Sequence, residues 1–276
     1  MLLRWITAIS LVAAGVLCAV TGSFAGLRWL WVAPVSFVGC FLLIVLIGFL
    51  YLLWLCDRVD QSVPQEDDDP KYRKVANLYI EAALPVLQIH VKKNGLEKVP
   101  KDRRFMLVCN HTNDSDPVIL LYCLPKSQIA FISKKENSSM FVIGPMMHKM
   151  LCQLINREND REALKTILKC IQILKEDKAS IGVFPEGGIN KDKKFHHFRP
   201  GVFKIAQKAN VPIVVCTLKN TKDVIHNLLR LKPSYVEFSV LDVIEPEEFK
   251  GVTTVELAQR CYDMMAADLG PDRVAD

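Results

Sequence analysis

Phe105-Met106-Leu107-Val108-Cys109-Asn110-His111-Thr112-Asn113-Asp114-Ser115-Asp116 changes character halfway along. Its first five residues form an unbroken apolar run, as expected of a strand buried on both faces in a parallel sheet. The rest is polar and gives way to a helical pattern over 117–123. A strand that hands over to a helix through a polar turn is the repeating unit of α/β proteins, which gather ligand-binding and catalytic groups at the carboxyl ends of their strands.

Working outward, apolar runs predict further strands over 129–133, 153–156, 181–184, 211–218 and 235–243. Helical periodicity predicts helices over 160–175, 202–209 and 254–269, the last opened by a capping box of Thr253 and Glu256. Strands alternating with helices predict an α/β fold, a mostly parallel sheet flanked by helices. Upstream, apolar residues at 72, 75, 76, 79, 80, 83 and 84 share one helical stripe, suited to packing on the core or lying on a bilayer. Residues 59–70, acidic and bounded by Pro64 and Pro70, read as a linker.

The first 58 residues differ in kind. No charge falls between Arg4 and Arg28, nor between Arg28 and Asp57. Each interval exceeds the roughly 20 residues a helix needs to cross a hydrocarbon core, which predicts a two-helix transmembrane hairpin over 1–58. Ser23-Phe24-Ala25 also resembles a signal-peptidase site, and a cleaved leader is the competing reading of the first interval. Trp5, Trp29, Trp31 and Trp54 fall near the expected span ends, where amphipathic rings prefer the interface. With Arg28 alone in the hairpin and Arg58, Lys71, Arg73 and Lys74 after it, the positive-inside bias predicts an integral membrane protein whose domain, residues 71–276, faces the cytoplasm.

The chain has a formal charge of +5, and its region 57–276 holds 33 basic against 30 acidic residues. So mild an excess suits an anionic membrane surface and argues against nucleic acid as a partner. Nine scattered cysteines have no metal-ligand spacing and read as free thiols, and no metal is expected. His196-His197 lacks an accompanying carboxylate cluster and reads as a polar loop. Serine elbow, P-loop and dinucleotide fingerprint are all missing from the sequence. Nothing in it specifies an oligomeric state.

Two stretches carry chemistry. In the first, His111 stands at a strand's carboxyl end with Asp116 five positions on. Imidazole accepts a proton near neutral pH, and a carboxylate on its other nitrogen fixes the tautomer. An aspartate capping the following helix explains the same letters. In the second, a strand runs into Phe184-Pro185-Glu186-Gly187-Gly188, where glycines let a backbone approach a ligand and the carboxylate either holds a hydroxyl or orders the turn.

Taken in order, Asn110-His111 with Asp116, Gly144 and Leu154-Ile155-Asn156-Arg157, Phe184-Pro185-Glu186-Gly187, and Val211-Pro212-Ile213-Val214 resemble the glycerolipid acyltransferase family, which includes the 1-acylglycerol-3-phosphate acyltransferases. The resemblance covers roughly 85–245. It implies His111 as general base on an acceptor hydroxyl, oriented by Asp116, with acyl-CoA or acyl carrier protein as donor and no further cofactor. It also implies that Asn110, Glu186, Gly187 and Gly188 belong to the substrate site, that Arg157 binds the acceptor phosphate, and that Pro212 shapes the acyl or acceptor pocket. Membrane lipids would be the partners, and 1-acyl-sn-glycerol-3-phosphate the expected acceptor. The chain departs from the family where Gly188-Ile189-Asn190 replaces a threonine followed by arginine or serine. Lys191, Lys193, Lys194 and Arg199 are candidate replacements for that cation, and a solvated basic loop is the alternative. A lipid or thioester hydrolase and a silent lipid-binding protein on the same fold are the rival functions.

Overall fold

The computed structural model describes residues 2–156, 159–190, 192 and 194–275. It divides into two units at Asp60 and Gln61. In the first, helices α1 (Leu2–Val20) and α2 (Trp29–Asp57) pack on each other through a short turn of 3₁₀ helix, Ser23–Ala25. Both are long and apolar enough to cross a membrane. The hydroxyls of Thr7 and Ser10 donate to the carbonyls of Leu3 and Ile6, one turn back, so that α1 leaves neither donor unmet.

The second unit comprises α3 (Pro70–Val86), β1 (Ile89–Asn94), β2 (Met106–Val108), α4 (Asp116–Cys123), β3 (Ile129–Lys134), α5 (Ile143–Lys149), β4 (Gln153–Ile155), α6 (Asp160–Lys175), β5 (Ser180–Val183), α7 (Lys204–Ala209), β6 (Ile213–Lys219), α8 (Val224–Leu229), β7 (Ser234–Ile244) and α9 (Thr254–Leu269). The seven strands form one sheet in the order β1-β7-β6-β2-β5-β3-β4, and every neighbouring pair is parallel except β6 with β7. Met106 and Val108 point into a layer that includes residues of α6, α7 and α9, while Leu107 and Cys109 point into one with residues of α3, α4 and α8. This two-sided burial is why the run at 105–109 shows no polar alternation.

The structure departs from expectation in three places. The strand β1 escaped the periodicity because His90, Lys92 and Lys93 interrupt it; it is an edge strand, paired with β7 alone. The segment read as a linker, 59–70, is tied to the second unit in its later half. The Asp69 carboxylate accepts from the Lys71 amide and caps α3, its own amide donates to the Lys149 carbonyl, and Gln65 accepts from Lys149 Nζ. Third, Arg73 is built into the domain core. It is buried, 2.6 Å from Asp68, and donates to the carbonyls of Ile129 and Met150, so the stripe on α3 packs against the domain, in contact with α4, α5 and β1.

Candidate active site

β2 sits between β5 and β6 and ends at Val108, delivering the loop 109–115 to the rim of the sheet. Asn110, buried, ties that loop to β6: its Nδ2 donates to the Leu218 carbonyl and its Oδ1 accepts from the Leu218 amide, both at 2.8 Å. His111 then points to the β5 side, its ring stacked on Phe184 with centroids 4.2 Å apart.

His111 Nδ1 lies 3.0 Å from Asp116 Oδ2. Asp116 opens α4 and is fully buried. The same Oδ2 accepts from the amides of Thr112 and Asn113 at 2.8 and 2.9 Å. Of the two readings of the sequence, the helix cap is not what the structure has: Ser115 holds the N-cap position, and Asp116, the first residue of α4, turns its carboxylate back onto the preceding loop and the imidazole. With Nδ1 committed to the carboxylate, Nε2 is the nitrogen left to accept a proton.

The second stretch closes on the first. Glu186 Oε1 accepts from the His111 amide at 2.8 Å, and Oε2 accepts from Asn190 Nδ2 at 2.8 Å and the His196 amide at 3.1 Å. Both oxygens are therefore engaged inside the protein, and the carboxylate links the histidine loop to the glycine turn and to the segment after it. Burial pushes the Glu186 carboxyl up to about 7, against the opposing pull of the two amides. Gly187 has φ of +84°, and the Arg199 side chain crosses it so closely that a Cβ would stand 2.6 Å from Nε; only glycine suits both conditions. Gly188 continues the turn towards Asn190. Arg199 is exposed, with its amide donating to the Pro185 carbonyl.

A cavity of about 330 Å³ adjoins the loop on the β6 side, with Asn110, Thr112, Lys194, Asn220, Lys222 and Arg273 in its lining. Pro212 is not brought to the site. It is buried just before β6, and its carbonyl accepts from the amide of Met106, the first residue of β2, at the opposite end of the sheet from His111. Arg157, Lys191 and Lys193 lie outside the described residues. The sequence reading missed the bond of Asn190 to Glu186 and the stacking of Phe184 on His111. Asn190 had been visible only as a departure from a pattern. Burial drives the Cys109 thiol well above its ordinary range, which leaves it a poor nucleophile beside the histidine. Among the described residues no cluster could hold a metal ion.

Comparison with known proteins shows what the chain is similar to. Residues 90–219 match the family model described as Acyltransferase. The chain is 27% identical over 172 residues to the 1-acyl-sn-glycerol-3-phosphate acyltransferase of Haemophilus influenzae, covering 61% of this chain and 71% of that one. Identity is 33% over 159 residues to a chloroplastic 1-acyl-sn-glycerol-3-phosphate acyltransferase of Arabidopsis thaliana, covering 55% and 43%. The crystal structure of the 1-acyl-sn-glycerophosphate acyltransferase PlsC from Thermotoga maritima shares the fold, with a TM-score of 0.61 at 21% identity over 79% of this chain and 85% of that one.

Proposed function

We propose, from the match of residues 90–219 to the acyltransferase family model, that the chain transfers a fatty acyl group from a thioester donor to the free hydroxyl of 1-acyl-sn-glycerol-3-phosphate, giving phosphatidic acid. The observation that carries this reading is the contact between His111 Nδ1 and an Asp116 carboxylate held by two backbone amides and shut off from solvent.

His111 Nε2 takes the proton of the acceptor hydroxyl as its oxygen attacks the thioester carbonyl, and Asp116 stabilises the imidazolium. Collapse of the tetrahedral intermediate breaks the carbon–sulfur bond. The imidazolium returns the proton to the departing thiolate, and the ester and free thiol leave a neutral imidazole behind. The acceptor's phosphate has Arg199 beside the glycine turn and Lys194, Lys222 and Arg273 around the cavity as cationic partners. The donor is acyl-CoA, with acyl carrier protein as the competing carrier. In this reading α1 and α2 span the membrane and the second unit works at its cytoplasmic face. Arg58, Lys71 and Lys74 support that orientation against the single Arg28.

The test offers labelled acyl-CoA, and separately labelled acyl carrier protein, to the protein in lipid vesicles with lysophosphatidate or a lysolipid bearing choline, ethanolamine or no phosphate. Product is identified by mass. Phosphatidic acid is expected, at a rate reduced about 10²- to 10⁴-fold by His111→Ala and nearly as much by Asp116→Ala, since the two act as a unit. Release of free fatty acid in place of ester, or full activity in the His111→Ala protein, would overturn the reading.

A further inference from the structure

We propose that Gly182 and Phe131 are positioning residues for the His111 imidazole, acting through Phe184; the inference rests on the acyl-transfer reading of the same site. Three rings stand in a row. His111 stacks on Phe184 at 4.2 Å with 19° between the planes, and Phe184 stacks on Phe131 at 5.7 Å with 7° between them. Phe131 belongs to β3 and is paired in register with Gly182 of β5.

The row depends on a missing side chain. A Cβ built on Gly182 would stand 2.5 Å from Cε1 and 2.6 Å from Cδ1 of Phe131, and 2.8 Å from Cγ2 of Ile129. The Phe131 ring therefore lies across β5 where any other residue would raise a side chain. Glycine inside a strand weakens it, and its usual justification is such a close approach. The ring is 6% exposed, with Ile129 packed at the same glycine and Phe184 stacked on its face. A methyl group at 182 would thus shift a ring on which the neighbour of His111 rests.

The imidazole needs both supports. Its hydrogen bond to Asp116 fixes the direction of Nδ1 but leaves the ring free to turn about that bond. The face of Phe184 removes this freedom and so sets where Nε2 points. Transfer of a proton between heavy atoms about 3 Å apart tolerates little misplacement, and an error near 1 Å costs about 10² in rate.

Gly182→Ala and Phe184→Leu are each expected to lower kcat about 10- to 100-fold, on the same argument, with the KM for each substrate nearly unchanged. Phe131→Leu alone is expected to lower kcat to a similar extent, and adding it to Gly182→Ala to cost little more, since both act through Phe184. A readout independent of turnover is the carbethoxylation of His111 by diethyl pyrocarbonate, followed by peptide mass: each single variant should react faster than the parent. Should Gly182→Ala fail to fold, Phe131→Leu decides the matter. Parental kcat in Phe184→Leu, in Phe131→Leu or in folded Gly182→Ala, losses that add in full in the double variant, or unchanged carbethoxylation would overturn the proposal. A parent protein that esterifies no lysolipid would defeat the acyl-transfer reading instead, while the carbethoxylation comparison would still test the positioning of the ring.

Discussion

Glu186 shows how one residue can bind a site together without touching a reacting atom. Its carboxylate accepts from the His111 amide, the Asn190 side chain and the His196 amide, so the histidine loop, 75 positions earlier, is joined to the turn and the segment that follow the glutamate. Burial raises its pKa from the ordinary 4.5 to about 7. Between those values the folded chain holds a proton that the unfolded chain has released. The stability tied to that proton is complete below about pH 4.5 and lost as pH rises through about 7, and it amounts to about 3 kcal/mol at most. Glu186→Gln removes the titration. Unfolding midpoints measured from pH 4.5 to 7.5 are therefore expected to fall with rising pH more steeply in the parent than in the variant. Parallel curves would show that the carboxyl titrates alike in both states.

At the scale of an element, α3 illustrates how a polar segment becomes part of a core. Its N-terminus is fixed by Asp69 as cap and Pro70 in the first turn, a combination that starts helices efficiently. One turn in, Arg73 is buried against Asp68, the two side chains being 6% and 4% exposed. Removing one partner of a buried pair strands the other charge, which costs about 3–5 kcal/mol. Asp68→Ala should lose stability on that order in urea or thermal unfolding, whereas replacing both residues with apolar ones of similar volume should cost far less. A loss below about 1 kcal/mol for Asp68→Ala would mean that water reaches Arg73 and screens it.

At the scale of the whole molecule, the two units treat apolar surface differently. Large apolar side chains stay exposed along α1 and α2, among them Leu11, Val12, Leu42, Leu46 and Ile47, while the second unit closes two apolar layers around its sheet. A chain lacking residues 1–60 is expected to keep the cooperative unfolding of the second unit and its turnover of detergent-dispersed lysolipid, yet to lose at least tenfold on acceptor held in vesicles. Such a loss corresponds to about 1.4 kcal/mol of lost local concentration. Equal rates on both substrates would deny the helices any part in delivering lipid.

What the sequence determined by itself was whatever depends on neighbours along the chain. The two uncharged spans, the alternation of strands and helices, the limits of α9 and its capping box, and the placing of His111 at a strand end all follow from periodicity and turn chemistry within a dozen residues. The pairing of His111 with Asp116 was legible for the same reason, since a turn of five residues brings the two together. The tertiary structure alone decided which distant residues meet. Strand order in a parallel sheet sets β5 beside β2, and with it the contact of Glu186 with an amide 75 positions earlier. The order also sets β3 beside β5, which brings Phe131 over Gly182, and it leaves Pro212 at the far end of the sheet from the histidine. Such contacts are set by register between strands, and register arises from burying both faces of the sheet at once, a condition that no local stretch of sequence expresses.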